Sequence, residues 1–270
     1  MKCIFLDIDG TLFDPNTNSI PESASRAIEI VRENNNKVFL CTGRSVSSLN
    51  EIDMKMYDGI ICSSGAYAKV NDQVVICERL SSNNTAKIQE ILERYDVGYI
   101  LEGKNGNYLN PQGKECFKEM IKSTNRFTNY EEFLLRIGFF DLEFFENDTI
   151  FKVVFYGKTI DEIELIRIAL DNEYKLTYEI SEEKRFIEVE LTNKEVNKYS
   201  GICKVLDFLH HESKDTIGIG DSINDIEMIN GCGIGIAMGS ASDKVKQAAD
   251  FITTNIDDGI FNAFKLMSLI

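Results

Sequence analysis

The chain has 270 residues, of which 43% are hydrophobic and 27% charged, a balance typical of a folded globular protein rather than a disordered or fibrous one. This length allows about two domains. The 44 acidic residues outnumber the 29 basic ones and give a net charge of −15, which argues against a nucleic-acid partner and against an anionic membrane surface, because both attract basic proteins.

The sequence also predicts a protein that stays in the cytoplasm. No apolar stretch reaches the roughly 18 residues that a membrane span needs, and the first ten residues, MKCIFLDIDG, become acidic too early for a signal peptide. The seven cysteines form no CxxC pair, which favours reduced thiols over a zinc or redox site. We expect a cytoplasmic monomer or weak homo-oligomer that does not bind a membrane.

The first part of the chain predicts a parallel sheet. Residues 2–6 (KCIFL) and 37–41 (KVFLC) are nearly continuous apolar runs, typical of strands that are buried on both faces. Residues 21–33 between them place Ala24, Ala27, Ile28 and Val31 on one stripe of a helix. The expected elements that follow are a helix at 45–54, a strand at 59–62, and a hairpin of 66–69 with 74–77.

The pattern changes near residue 81 and returns to β-α alternation near residue 191. Residues 131–190 contain 16 acidic and 7 basic residues, so this part is markedly acidic. In the middle part we expect helices at 85–94 and 159–171, and strands near 97–101, 150–156, 174–180 and 186–191. In the last part we expect helices at 196–211, 222–230 and 241–248, and strands at 215–219, 233–237 and 251.

These elements predict an α/β protein with a doubly wound parallel sheet, that is, a Rossmann-like core, and an inserted α+β cap domain. The core domain comprises 1–80 and 191–270, and the cap comprises 81–190. An insert of roughly 110 residues has the size of a small domain.

Polar clusters follow the predicted strands, where ligands bind in open α/β sheets. The first is Asp7-Ile8-Asp9-Gly10-Thr11. Two carboxylates held close together repel each other, and a divalent cation would neutralise them. An ionised Asp beside a metal can attack phosphorus, and a partner that holds a proton can protonate the leaving oxygen. The structural alternative is an Asp-Gly turn that ends a buried strand.

The other clusters carry complementary groups. The Thr42 hydroxyl and the backbone N–H of Gly43 can hold a phosphoryl oxygen, or can begin a helix. Lys198 can anchor phosphate and hold a carboxylate, or can be a solvated helix residue. Asp221 can complete a metal site of oxygen ligands, Asn224 can donate to phosphate, and Asp225 can pair with Lys198, or these residues can be helix caps.

Taken together, MKCIFLDIDGTLFD, FLCTGR, Lys198 and IGIGDSINDIEM resemble the four motifs of the haloacid dehalogenase-like superfamily. The finer resemblance is to its Cof-type phosphatases, in which the cap lies between the second and third motifs. The segment GIAMGSASDKVKQAADFITTNIDDG is also similar to that subfamily. The resemblance covers about 1–80 and 191–270, whereas the cap matches only in size and position.

The resemblance implies a Mg²⁺-dependent phosphatase that acts on small phosphorylated metabolites, either sugar phosphates or a cofactor phosphate. Asp7 would be the nucleophile that forms an aspartyl-phosphate, and Asp9 would be the general acid and then the base. Thr42 would hold a phosphoryl oxygen, and Lys198 would stabilise the nucleophile and the phosphate. The remaining roles implied are Mg²⁺ binding by the Asp7 carboxylate, the Asp9 carbonyl and Asp221, and support of the phosphate and of Lys198 by Asn224 and Asp225.

The chain departs from the subfamily pattern outside these chemical groups. Ser64-Gly65-Ala66 stands where relatives often have Asn-Gly-Ala, and Ser240 stands where Asn is common. Glu195 and Tyr199 occupy positions that often carry glycine around the lysine. These differences bear on the contacts with substrate.

Two other functions use the same chemistry. A phosphomutase would need a cap that holds a second phosphate, and the acidic composition of this cap disfavours that function. A phospho-accepting signalling protein also uses a metal-bound Asp on a doubly wound sheet, but needs only about 120 residues and no inserted domain.

Overall fold

The computed structural model describes residues 1–14, 17, 19–50, 52–121, 129–180 and 185–270. These residues form two compact units. The first unit comprises Met1–Gly43, Asp53–Cys77 and Asn197–Ile270, and the second comprises Arg44–Ile52 and Glu78–Val196. The units therefore change at 77/78 and 196/197, a few residues from the expected domain boundaries, and 44–52 groups with the inserted part.

The strands are, in chain order, β1 (Cys3–Leu6), β2 (Lys37–Cys41), β3 (Gly59–Cys62), β4 (Tyr67–Val70), β5 (Gln73–Cys77), β6 (Gly98–Gly103), β7 (Asn107–Leu109), β8 (Phe139–Asp141), β9 (Ile150–Gly157), β10 (Tyr174–Tyr178), β11 (Ile187–Asn193), β12 (Thr216–Gly220), β13 (Ile234–Ala237) and β14 (Phe251–Ile252). The α-helices are α1 (Glu22–Glu33), α2 (Ser82–Arg94), α3 (Pro111–Ile121), α4 (Tyr130–Arg136), α5 (Ile160–Ala169), α6 (Lys198–Leu209), α7 (Ile226–Gly231), α8 (Asp243–Ala248) and α9 (Gly259–Leu266).

The first unit contains an eight-stranded sheet in the order β14-β13-β12-β1-β2-β3-β4-β5. The first six strands of that order run parallel, and β4 and β5 add an antiparallel hairpin. All four residues of β1 are buried, as a strand covered by helices on both faces requires. The doubly wound α/β fold expected from the sequence is confirmed.

The prediction of a helix at 45–54 is wrong. The structure has two short 3₁₀ turns there, at Val46–Ser48 and Met54–Met56. The Ser45 hydroxyl bonds the hydroxyls of Ser47 and Ser48, and the Asp53 carboxylate accepts from the backbone N–H of Lys55. Short polar side chains that form such local bonds compete with a continuing helix.

The second unit contains a six-stranded sheet in the order β10-β11-β9-β6-β7-β8. Helices α2 and α5 pack on one face, which includes Tyr99, Val153 and Phe155. Helices α3 and α4 pack with Ile100 and Val154, which lie on the opposite face because side chains alternate along a strand. Within the described ranges, no helix is both long enough and apolar enough to span a bilayer.

The fold brings the predicted site residues of the first unit to one edge of its sheet. Strands β12, β1 and β2 are adjacent and parallel, with Leu6 opposite both Ile219 and Leu40. Asp7, Thr42 and Asp221 each come directly after one of these three strands. Because parallel strands end at the same edge, the three residues lie along the carboxyl edge of the sheet.

Candidate active site

Asp7 and Lys198 form a buried ion pair at this edge. The Nζ atom of Lys198 lies 2.7 Å from Oδ1 of Asp7 and 2.5 Å from Oδ1 of Asp225. The exposed fractions of Asp7, Lys198 and Asp225 are 4%, 1% and 0%. Lys198 is the first residue of α6, so the helix start delivers one ammonium group between two carboxylates.

Both carboxylate oxygens of Asp225 accept hydrogen bonds that hold this arrangement together. Its Oδ1 accepts from Lys198, and its Oδ2 accepts from the backbone N–H groups of Asp221 and Ser222 at 3.0 and 2.9 Å. The Ser222 hydroxyl also donates to that oxygen at 3.1 Å. With both oxygens engaged, Asp225 positions Lys198 and the chain around Asp221.

Asp221 completes a cluster of three carboxylates. One oxygen each from Asp7, Asp221 and Asp225 lies within 4.8 Å of the other two, and among the described residues this is the group of three acidic or metal-ligating side chains that could hold a metal ion. The Thr11 hydroxyl donates to Oδ1 of Asp221 at 2.9 Å. Gly10 has φ +83°, and a Cβ there would lie 2.4 Å from Oδ2 of Asp221, so this turn needs glycine.

The cluster carries more negative than positive charge. Burial raises the pKa of Asp7 well above its ordinary value; Asp225 and Asp221 add to that effect, and Lys198 opposes it. Burial, together with Asp225, raises the pKa of Asp221 to about 6. Burial alone would lower the pKa of Lys198, but Asp225 and Asp7 together raise it well above its ordinary value. A cation beside Asp7 and Asp221 would relieve this imbalance.

Asp9 differs from Asp7 in its exposure to solvent. The chain leaves the strand at Leu6 and turns, with the carbonyl of Ile8 accepting from the N–H groups of Leu12 and Phe13 at 2.9 and 2.7 Å. Asp9 is exposed, whereas Asp7 is buried. A buried, paired carboxylate next to an accessible one can divide the work of nucleophile and proton carrier.

The structure places the other candidate residues near the ends of neighbouring strands. Thr42 is buried, and its backbone N–H donates to the carbonyl of Ile61 at 2.8 Å. Gly43 follows it and is half-buried. Asn224 is half-buried in the turn after β12, where its Oδ1 accepts from the Ser222 hydroxyl at 3.0 Å. In this arrangement the side-chain N–H₂ of Asn224 is its donor group.

Thr11 and Ser222 were given no role from the sequence, although both bond the acidic cluster directly. Ser222 could have been found, because Ser-Ile-Asn-Asp at 222–225 has the Ser-x-x-acid spacing of a capping box, and that box is formed here. Thr11 has no comparable local signal, since its bond to Asp221 joins positions 210 residues apart.

A doubly wound α/β core with a buried Asp–Lys pair and further carboxylates at its carboxyl edge is the architecture of a hydrolase that transfers phosphoryl groups. The chain belongs to the haloacid dehalogenase-like hydrolase family, whose model matches residues 4–264. The family resemblance in the sequence is thereby confirmed.

Curated relatives and a solved structure support a phosphatase. YkrA of Bacillus subtilis strain 168, provisionally named a phosphatase, is 30% identical over 278 residues that cover 100% of this chain and 98% of YkrA. The 5-amino-6-(5-phospho-D-ribitylamino)uracil phosphatase YcsE of the same organism is 26% identical, with 98% of this chain and 95% of YcsE covered. The subclass IIB sugar phosphatase BT4131 has a TM-score of 0.83 and 27% identity, with both chains fully covered. The protein is a phosphatase of this family.

Proposed function

We propose that the protein is a Mg²⁺-dependent phosphatase that hydrolyses small phosphorylated metabolites through an aspartyl-phosphate on Asp7. The observation that carries this proposal is the buried carboxylate of Asp7, held 2.7 Å from Lys198 beside Asp221 and Asp225. The family membership and the phosphatase relatives support it.

The donor set fits Mg²⁺. Hard cations of this kind prefer carboxylate and carbonyl oxygens, and the cluster has three carboxylates for one ammonium group. Both Asp225 oxygens are engaged, which leaves Asp7, Asp221 and the backbone carbonyl of Asp9 as the proposed ligands. When bound, Mg²⁺ would neutralise charge on the phosphoryl oxygens and on the two carboxylates.

In the first half of the proposed reaction, a carboxylate oxygen of Asp7 attacks phosphorus and the bond from phosphorus to the ester oxygen breaks. Asp9 gives its proton to that leaving oxygen. Lys198, the hydroxyl of Thr42, the N–H of Gly43 and the amide of Asn224 hold the transferring oxygens. Positioning and charge stabilisation of this kind dominate catalysis of phosphoryl transfer.

In the second half, Asp9 takes a proton from a water molecule, and the water oxygen attacks phosphorus. The bond between phosphorus and Asp7 breaks, which releases inorganic phosphate and restores the carboxylate. The exposure of Asp9 suits this exchange of protons with the leaving group and with water. Asp225 holds Lys198 throughout, and we propose that the second unit is the cap domain that sets substrate specificity.

The relatives indicate which substrates to test first. One is a sugar phosphatase and another acts on 5-amino-6-(5-phospho-D-ribitylamino)uracil. Both names describe a phosphate monoester on a small polyhydroxylated molecule, and we propose that class for this protein.

A phosphate-ester panel tests the proposal. Wild type, Asp7→Asn and the control Asp53→Asn are assayed for release of inorganic phosphate with Mg²⁺ and with EDTA. Asp53 is an exposed residue that caps a 3₁₀ turn, and Asn serves equally as a cap. We expect hydrolysis with Mg²⁺ only, and a loss of at least about 100-fold for Asp7→Asn alone. Full activity of Asp7→Asn would contradict the nucleophile assignment.

The covalent step has its own measurement. Acid quenching after mixing with a ³²P-labelled ester should leave label on wild type and on Asp53→Asn, but none on Asp7→Asn. Conversion of a hexose 1-phosphate into its 6-isomer without free phosphate would instead identify a mutase, and stable labelling without turnover would identify a phospho-accepting protein.

A further inference from the structure

The turn after β3 has an unusual backbone. Ser63, Ser64 and Gly65 have φ values of 49°, 56° and 108°, so three consecutive residues adopt the left-handed region. Non-glycine residues rarely do so, because the Cβ atom crowds the backbone in this region. Ser63 and Ser64 are nevertheless buried. A conformation this costly persists only where the surrounding structure fixes it.

The turn is fixed against the start of α6. A Cβ on Gly65 would lie 2.1 Å from the carbonyl oxygen of Asn197. That carbonyl accepts the bond from the N–H of Gly201 at 3.1 Å that begins the helix. A Cβ on Gly201 would lie 3.0 Å from the Cα of Gly65. The turn and the first turn of α6 therefore touch through backbone, with no side chain between them.

The same turn is tied to Thr42. The N–H of Ser64 donates to the Thr42 carbonyl at 3.1 Å. One short segment therefore contacts the residue that follows β2 and the residue that directly precedes Lys198. Thr42 and Lys198 are two of the proposed phosphate-binding residues, so the turn contacts the chain at or next to both.

We infer that Gly65 is a positioning residue: by letting this turn contact the Asn197 carbonyl, it sets the place of the α6 start and so of the Lys198 ammonium between Asp7 and Asp225. This inference rests on the proposed role of Lys198. Any side chain at residue 65 forces the turn and the helix start apart, because the atom in its way is backbone. A misplacement of about 1 Å in a catalytic group can cost about 100-fold in rate.

The test uses glycine-to-alanine variants at three places. Gly65→Ala adds the methyl group at the contact. Gly201→Ala adds it from the helix side, where alanine favours the helix more than glycine does but its Cβ meets Ile61 at 2.8 Å and Gly65 at 3.0 Å. Gly59→Ala is the matched control: Gly59 begins β3, at the other end of the strand, and its Cβ would lie 2.4 Å from the Lys69 carbonyl.

We expect Gly65→Ala to lower kcat for p-nitrophenyl phosphate by at least 10-fold, with KM changed less than about threefold. Gly201→Ala should also lower kcat. Gly59→Ala should lose thermal stability but keep its kcat when assayed below its Tm. If Gly65→Ala does not fold, Gly201→Ala carries the test.

A comparison of Gly65→Ala in the wild-type and Lys198→Met backgrounds distinguishes a positioning role of Gly65 from a general loss of structure. In a Lys198→Met background the group being positioned is absent, so Gly65→Ala should cost less than about threefold there. Three outcomes would overturn the inference. Gly65→Ala could lower kcat equally in the wild-type and Lys198→Met backgrounds, or folded Gly65→Ala and Gly201→Ala could both keep wild-type kcat. The third outcome is a loss of kcat in Gly59→Ala equal to that in Gly65→Ala. Full activity of Lys198→Met would overturn it together with the role of Lys198, while Asp7→Asn tests the phosphatase proposal independently.

Discussion

The ammonium group of Lys198 lies 2.7 Å from the carboxylate of Asp7, and both groups are buried. The single ammonium group does not neutralise the site, because one oxygen each of Asp221 and Asp225 lies within 4.8 Å of an oxygen of Asp7. The site therefore carries an excess of negative charge, which destabilises the metal-free protein and favours a bound cation.

We predict that Asp7→Asn raises the Tm of the metal-free protein by a few degrees while it abolishes activity. The variant removes one of three crowded carboxylates and leaves Lys198 paired with Asp225. Burial disfavours the ionised form of the Asp7 carboxyl group, so replacing it with an uncharged amide should stabilise the fold. The measurement is thermal unfolding in EDTA, with Asp53→Asn as control; a lower Tm for Asp7→Asn would show that the ion pair outweighs the repulsion.

The bond from Thr11 to Asp221 predicts a change in the Mg²⁺ requirement. Groups that orient a metal ligand typically account for 10–100-fold in affinity. Thr11→Val removes the hydroxyl that donates to Asp221 at 2.9 Å and keeps a similar shape. We expect the Mg²⁺ concentration that gives half-maximal activity to rise about 10-fold.

The control for this prediction is Thr85→Val in the second unit. The Thr85 hydroxyl is buried and donates to the Ser81 carbonyl at 3.1 Å, so the variant loses a comparable hydrogen bond far from Asp221 in sequence. It should lower Tm without changing the Mg²⁺ requirement. A Thr11→Val protein with wild-type Mg²⁺ activation would mean that the hydroxyl does not orient Asp221 for the metal.

The core of the fold was predictable because its strands are short apolar runs with polar residues at their ends. β1 and β2 are buried along nearly their whole length, and such strands have a strong local pattern. The order of Asp7, Thr42 and Asp221 after three strands then placed them at one edge by topology alone. The pairing of Lys198 with Asp225 followed from the type of their side chains.

The parts that could not be predicted depend on contacts between distant positions. β7, α3, α4, β8 and α9 were missed, and four of these five elements have eight residues or fewer, so their local patterns are weak. Gly65 looks like an ordinary turn glycine until its contact with Asn197, 132 residues away, is known. Local sequence carries no record of such contacts.

A buried charge cluster in the second unit predicts a pH effect on stability. Lys152 lies 3.2 Å from Glu102 and 2.8 Å from Glu190, and Lys152 is 2% exposed. Burial raises the pKa of Glu102 to about 7, Glu190 adds to the effect, and Lys152 opposes it. The folded protein therefore binds a proton at Glu102 that the unfolded chain releases near pH 4.5.

Because the pKa of Glu102 is higher in the folded state, its contribution to stability is complete below about pH 4.5 and is lost as pH rises through about 7. A shift of this size corresponds to an effect on the order of 3 kcal/mol. Glu102→Gln cannot ionise, so its Tm relative to wild type should increase from pH 4.5 to pH 8. The control Glu29→Gln, on the exposed face of α1, should show no such trend; a flat difference for Glu102→Gln would contradict the prediction.

The strained turn after β3 predicts that two substitutions at Ser63 stabilise the protein by different amounts. Ser63 is fully buried, has φ 49°, and its hydroxyl has no hydrogen-bond partner among the described residues. Ser63→Ala removes only the unpaired hydroxyl, which costs about 1–3 kcal/mol when buried. Ser63→Gly also removes the cost of the left-handed backbone, on the order of 1–2 kcal/mol, against about 0.5–1 kcal/mol of glycine entropy.

Both variants should therefore unfold at a higher temperature than wild type, with Ser63→Gly above Ser63→Ala. At about 2–4 °C for each kcal/mol in a chain of this size, the difference between variants is small but measurable by calorimetry. The matched comparison is Ser47→Ala, whose buried hydroxyl bonds Ser45 at 3.1 Å. Loss of that bond should lower Tm. If Ser63→Ala lowers Tm as Ser47→Ala does, the Ser63 hydroxyl is hydrogen-bonded in solution, which would contradict this prediction.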